Sequence, residues 1–208
     1  MITGATLWLA AEPLLLASGS PTRRDMLRAA GIPVEIVRPA IDERAVEAPL
    51  LAQGSPPDAV AAALACAKAL AVSQAKPGRL VLGADQTLTC DGIAFHKPAT
   101  LAGAADQIAA LAGKTHELHS AFVLAQDGSP IVEGVSTARL TMRSLSPGFI
   151  LRYLGQAGET ALESVGGYQI EGPGAQLFES VEGDHFTILG LPLFHVLAAL
   201  RDLDMLAR

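Results

Sequence analysis

Aromatic residues are scarce in this sequence of 208 residues: one Trp, two Tyr and six Phe make up 4% of it. The chain is nevertheless 50% apolar, and that share leans on Ala, which implies helices packed through small side chains. No run approaches the roughly 18 uninterrupted apolar residues that a membrane-spanning helix needs. The apolar stretch 59–72 is shorter and is interrupted by Lys68. Cysteine is limited to Cys66 and Cys90, far apart and without a Cys-x-x-Cys pair, so both read as inert core residues. Basic charge is in deficit, with 15 Lys and Arg against 21 Asp and Glu and a net charge of −6. That argues against a broad nucleic-acid-binding face, which needs surplus cations. It leaves room for one small polyphosphate, because a few cations gathered at one point outweigh a diffuse acidic surface. Residues 1–13 place no Lys or Arg ahead of their apolar residues, so the basic region of a signal peptide is missing and a cytoplasmic location is expected.

What is present fits one sizeable domain or two small lobes. Residues 14–17 are a short apolar run ending in Ser-Gly-Ser-Pro, which reads as a buried strand feeding a helix. Ser20 caps that helix, Pro21 suits its first position and Gly31 stops it. Residues 34–37 read as a second strand, followed by a loop holding Asp42 and Glu43. Ser55-Pro56-Pro57-Asp58 resembles a capping box opening an Ala-rich helix through Lys68. Residues 80–84 form an apolar strand that ends at Asp85. Residues 87–89 and 93–95, joined by Asp91-Gly92, look like a hairpin; residues 116–125 and 131–142, joined by Asp127-Gly128, look like a longer one. Thr100, Ser146 and Pro192 open further helices, and the glycine-rich stretch 166–190 holds one strand, 176–181. Helices alternating with short strands give an α/β class with a mixed sheet.

The first turn of a helix normally favours acids, because free N–H groups and the macrodipole put partial positive charge there. The segment Ser18-Gly19-Ser20-Pro21-Thr22-Arg23-Arg24 places two arginines in that turn. One reading is an anion site, where backbone N–H groups, two hydroxyls and two planar guanidinium forks converge. The other is that the arginines point to solvent or pair with Asp25 or Asp42. Asp85, after its strand, can hold Mg²⁺ or Mn²⁺ or deprotonate a water, and it can equally be a turn former. Glu43 carries the same ambiguity. Lys68 interrupts a helix of Ala, Cys and Leu and is either a phosphate ligand or a residue snorkelling to solvent. Lys97 precedes Pro98, so its backbone is biased to extended geometry and its side chain has a fixed exit.

Several motifs fail. Gly113-Lys114-Thr115 lacks the glycine that a P-loop requires five positions earlier, where Ile108 stands. An aspartyl-phosphate phosphatase would need a second aspartate at position 87, which is Thr. His116 and His119, three apart in an expected strand, fall on opposite faces and form no simple metal pair. The glycines at 166–174 do not fit a dinucleotide fingerprint.

Taken in order, seven blocks resemble the Maf family, the septum-formation-inhibitor-like nucleotide pyrophosphatases. They are Leu15-Leu16-Ala17-Ser18-Gly19-Ser20-Pro21-Thr22-Arg23-Arg24, Ile41-Asp42-Glu43, Ala67-Lys68-Ala69, Leu82-Gly83-Ala84-Asp85, Lys97-Pro98, Gly167-Tyr168-Gln169-Ile170-Glu171-Gly172 and Gly190-Leu191-Pro192-Leu193. The resemblance implies hydrolysis of a nucleoside triphosphate to monophosphate and pyrophosphate, with attack on the α-phosphorus. It also implies a divalent metal cation (Mg or Mn), a homodimer, and the elongated mixed-sheet α/β fold shared with inosine-triphosphate pyrophosphatases. One such domain would have two lobes around a substrate cleft, with residues 1–13 as an N-terminal extension.

Carried over by position, Asp85 is expected as the catalytic carboxylate and, with Glu43, as a metal ligand. Ser18, Arg23, Lys68 and Lys97 are expected to contact the polyphosphate or substrate, with Arg24 a helper. Gln86 and Glu171 are expected at the substrate. Gln86, where the family commonly has Thr, and His119-Ser120 resemble the branch associated with 7-methyl-GTP. The block around Tyr168 looks more like the branch using dTTP and UTP, except that Glu171 stands where Gln is usual. The alternative class is a non-catalytic nucleotide-sensing regulator of cell division.

Overall fold

The computed structural model describes residues 6–208; the part of the N-terminal extension at residues 1–5 lies outside them. In chain order the elements are β1 (Leu14–Ala17), α1 (Pro21–Ala29), β2 (Val34–Ile36), α2 (Glu43–Ala52), α3 (Pro57–Ala75), β3 (Val81–Cys90), β4 (Ile93–Phe95), α4 (Leu101–Leu111), β5 (Thr115–Gln126), β6 (Ser129–Met142), α5 (Pro147–Ala157), β7 (Phe178–Glu182), α6 (His185–Ile188) and α7 (Leu193–Asp202). Short 3₁₀ turns lie between α5 and β7. The strands form a seven-stranded mixed sheet in the order β2-β1-β3-β5-β6-β7, with β4 also on β3. Strand β1 pairs in parallel with β2 and β3, whereas β3 with β4 and β6 with β7 are antiparallel. The mixed α/β class expected from the sequence is therefore the observed one.

Two compact units divide the chain. The first comprises the residues up to Gln86 together with Ser120–Ser136 and Leu189–Arg208; the second comprises Thr87–His119 and Thr137–Ile188. In the first, α3 lays Ala61, Ala65 and Ala69 against Ala121, Val123 and Ala125 of β5, the small-residue packing that the Ala-rich composition implies. By length and composition α3 could also span a membrane; its buried stripe, Val60 through Ser73 at helical spacing, shows a core helix instead. Residues 7–9 are tied to the C-terminus: the Leu9 N–H donates to Met205 O at 2.9 Å and the Ala207 N–H to Leu7 O at 2.9 Å.

Three expectations are corrected. Glu43 opens a helix rather than lying in a loop: the Asp42 carboxylate caps α2 by accepting from the Arg44 and Ala45 N–H groups. No α2 residue is fully buried and Pro49 sits inside it, so the sequence offers no apolar period there to read. The Ser55–Asp58 capping box does not form either. The Ser55 N–H donates back to Leu50 O at 3.0 Å, closing the end of α2, and α3 starts from Pro56 without a side-chain cap and runs to Ala75. Asp85, finally, is not at a strand end. Strand β3 continues through it to Cys90, pairing with β1 up to Gly83 and with β4 from Leu88. The polar run Asp85-Gln86-Thr87 marks the change of neighbour rather than the end of the strand.

The second unit has its own core, with Leu88, Ile108, Leu111, Leu140 and Leu177 fully buried. Within it His116 is fully buried; its Nε2 and the Tyr168 hydroxyl lie 2.6 Å apart, while Nδ1 has no partner among the described residues. Burial without a charge partner holds the imidazole down to about 4, from an ordinary value near 6.5. Between those values the unfolded chain binds more protons than the folded one, so stability falls as pH drops from about 6.5 to about 4. The slope from this one group approaches roughly 1.4 kcal/mol per pH unit. His116→Phe is expected to flatten that part of the profile, as measured by urea unfolding at pH 7, 6 and 5; an unchanged slope would remove His116 as its source.

Candidate active site

The site is built where β1 ends. Strand β1 is fully buried, so its last apolar residue, Ala17, hands the chain to Ser18 at a fixed point of the sheet. The Ser18 hydroxyl accepts from the Ser20 N–H at 3.2 Å, tightening the loop. Ser20 then caps α1 by accepting from the Arg23 N–H, and Pro21 takes the first helical position. At the far end Gly31, with φ at 79°, closes the helix: its N–H reaches Arg28 O and the Ile32 N–H reaches Leu27 O. These assignments match the sequence reading residue for residue.

The two arginines have different fates. Arg23 turns inward: Nε donates to Gly190 O at 2.8 Å, and Nη1 donates to Ala84 O at 2.9 Å and to the Ser18 hydroxyl at 3.2 Å. Burial pulls its pKa below the ordinary guanidinium value, and the charges of Asp85 and Glu43 oppose that shift. The group stays charged, since guanidinium does not deprotonate in proteins. Arg24 turns outward and pairs with Asp25 at 2.7 Å, a contact that raises the arginine and lowers the acid.

Lys68 lies on the buried stripe of α3, one turn from Leu64, Ala65 and Val72, which is why it cannot snorkel. Its Nζ donates to Asp85 Oδ1 at 2.5 Å and approaches Glu43 Oε1 at 2.9 Å. The side chains of Lys68 and Asp85 are 9% and 12% exposed and that of Glu43 is 55% exposed. The inner pair is thus shielded from water and the outer carboxylate faces it. Helices α2 and α3 and strand β3 each contribute one member, so residues 43, 68 and 85 converge although they are far apart in sequence. Beside them Gln86 Nε2 donates to the Ser120 hydroxyl at 3.0 Å.

Ser18, Arg23, Glu43, Lys68, Asp85 and Gln86 therefore belong to the first unit, as does the outward-turned Arg24. Lys97 and Glu171 belong to the second unit, both exposed, Lys97 following β4 and Glu171 following the turn that carries Tyr168. Two residues named in the sequence take positioning roles that the sequence did not assign. Gly190 anchors Arg23 through its carbonyl; with φ at 97° and Arg23 Nη2 3.4 Å from where a side chain would begin, the position requires glycine. In the sequence Gly190 stands out only as the first residue of the block Gly190-Leu191-Pro192-Leu193, which says nothing of Arg23. Ser120, which the sequence grouped with Gln86 only through the branch resemblance of His119-Ser120, holds the Gln86 amide through its hydroxyl.

Chemically the set offers a nearly buried carboxylate, a second carboxylate open to water, an ammonium between them, and a guanidinium pinned by carbonyls at a helix N-terminus. Among the described residues no group of three or more His, Cys, Asp and Glu side chains could hold a metal ion. Glu43 and Asp85 form a two-carboxylate hard-oxygen set, which suits a cation that takes its remaining ligands from water and substrate phosphates.

A family model for Maf-like proteins matches residues 13–203. The chain is 55% identical over 192 residues to the 7-methyl-GTP pyrophosphatase of Mesorhizobium japonicum, covering 92% of this chain and 96% of that protein. It is 52% identical over 203 residues to the nucleoside triphosphate pyrophosphatase of Rhodopseudomonas palustris, covering 97% and 99%. Among solved structures it is similar, at 14% identity and a TM-score of 0.41, to a nucleoside-triphosphatase / dITP/XTP pyrophosphatase from Mycobacterium abscessus, over 91% of this chain and 94% of that one. The family match spans nearly the whole chain, and these two sequence relatives are more than half identical to it over at least 92% of its length: the protein belongs to the Maf family.

Proposed function

We propose that this protein is a nucleoside triphosphate pyrophosphatase that hydrolyses 7-methyl-GTP to 7-methyl-GMP and pyrophosphate. The observation that carries the reaction class is the convergence of Arg23, Lys68, Glu43 and Asp85 in one unit, at the end of the β1–α1 loop. The base is taken from the relatives named for 7-methyl-GTP and from Gln86 and His119-Ser120, which resemble that branch.

In this reading Asp85 accepts a proton from a water whose oxygen bonds to the α-phosphorus. The bond from that phosphorus to the α,β-bridging oxygen breaks, and pyrophosphate leaves with the electron pair. A triphosphate brings about four negative charges, so fixed cations are what the transition state requires. Arg23 is suited to that task because its carbonyl contacts orient it before substrate arrives. A divalent cation, Mg or Mn, would be held by Glu43 and Asp85 and would neutralise phosphate charge. Lys68, now between the two carboxylates, keeps them from repelling one another until then. Lys97 and Glu171 are read as further substrate contacts, and the protein as a cytoplasmic homodimer.

A nucleotide panel of 7-methyl-GTP, UTP, dTTP and inosine triphosphate with Mg²⁺ or Mn²⁺ tests this. The expected outcome is monophosphate plus pyrophosphate, with the highest kcat/KM for 7-methyl-GTP and loss of turnover in EDTA. Stepwise orthophosphate release, or no turnover on any nucleotide, rules the class out; a preference for dTTP or UTP rules out only the base.

A further inference from the structure

The inner cations of the first unit are already engaged. Arg23 commits Nε and Nη1 to Gly190, Ala84 and Ser18, and Lys68 stands between Asp85 and Glu43. Arg24 is paired with Asp25. Counting protein side chains alone, two cations against two carboxylates leave this cluster without net positive charge, so any metal ion aside it holds no side-chain charge in surplus for a polyanion.

Arg38 supplies what is missing. The β1–β2 register pairs Leu16 with Ile36, and continued two residues past that pair it brings Arg38 level with Ser18. Its backbone is fixed on both sides: the Val37 N–H donates to Leu16 O at 3.0 Å, and Pro39 restricts the residue before it to extended geometry. The side chain reaches the β1–α1 loop, with Nε 3.7 Å from the point where a side chain at Gly19 would begin. It is exposed, and it makes no hydrogen bond or ion pair among the described residues. The neighbouring acids are engaged elsewhere, Glu35 with Arg79 and Asp42 with the first N–H groups of α2.

We propose that Arg38 is a further polyphosphate-binding residue of this site, an uncommitted guanidinium over Gly19 that grips the phosphate chain of the substrate and the pyrophosphate product. The proposal rests on the pyrophosphatase reading above. A guanidinium fork matches two phosphate oxygens at once, and lysine does not reproduce that.

The test compares Arg38→Ala and Arg38→Lys with the wild-type protein. For Arg38→Ala we expect KM for the nucleoside triphosphate and the inhibition constant of inorganic pyrophosphate each to rise about tenfold. We expect kcat to stay within about twofold and Tm to be unchanged, because the residue is exposed and unpaired. Arg38→Lys should recover only part of the loss. If the wild type turns over nucleotide and both constants are unchanged in Arg38→Ala, this inference is overturned while the reaction class stands. If the wild type turns over none, titration calorimetry with inorganic tripolyphosphate decides it: about tenfold weaker binding by Arg38→Ala supports the assignment, and equal binding overturns it.

Discussion

Asp85→Asn is expected to lower kcat about a thousandfold while the chain stays folded and still binds nucleotide. General-base removal typically costs between about 10² and 10⁴ in rate, and Asn keeps the shape but cannot take the proton. The substitution also removes one charge from a shielded pair, since Asp85 accepts from Lys68 at 2.5 Å with both side chains nearly buried. Breaking such a pair can cost about 3–5 kcal/mol. Here Lys68 retains Glu43 at 2.9 Å, so the stability loss should lie well below that range. The check is kcat by pyrophosphate release together with Tm and nucleotide binding by calorimetry. A fully active Asp85→Asn protein would leave the proposed chemistry without a base.

The second large effect comes from a residue with no side chain. Gly83 precedes Asp85 by two positions on β3, and α3 crosses directly over it. A Cβ there would lie 2.3 Å from Ala65 O and 2.7 Å from Ala69 N, both backbone atoms of the helix that carries Lys68. Backbone cannot swing aside, so Gly83→Ala must push α3 from β3 and pull Lys68 from Asp85. Overpacking of this kind costs about 1–3 kcal/mol, roughly 2–12 °C in Tm for a chain of this size. A displacement near 1 Å at the site lowers kcat/KM about a hundredfold. Gly155→Ala is the control: Gly155 sits inside α5 with nothing within 4 Å of its would-be Cβ. That substitution should stabilise by about 0.5–1 kcal/mol and leave activity unchanged.

These two sites also separate what the sequence carries from what it does not. Local chemistry is written locally: Ser20, Pro21 and Gly31 bound α1, and Thr100 and Ser146 cap α4 and α5 with their hydroxyls. In both hairpin turns the Asp and the Gly take positive φ, the geometry that an Asp-Gly turn favours. The long-range relations are not written locally. Lys68 alone reads equally well as a surface charge; only the α3 stripe meeting β3 makes it the partner of Asp85. The continuation of β3 past Asp85 depends on a second neighbour, β4, taking over from β1. Helix α2, without one fully buried residue, has no apolar period to betray it. The resemblance to the Maf family bridged that gap by naming positions together, but it could not say that Arg23 is oriented by the Gly190 and Ala84 carbonyls or that Arg24 faces Asp25.

If the Asp85 centre directs water to the α-phosphorus of a nucleoside triphosphate, the oxygen of that water ends in the monophosphate. Hydrolysis of 7-methyl-GTP in ¹⁸O-labelled water tests it most directly, because water attacking the β-phosphorus would give the same two products. Label is expected in the phosphate of 7-methyl-GMP and none in pyrophosphate. Label in pyrophosphate, or orthophosphate as the first product, would contradict it.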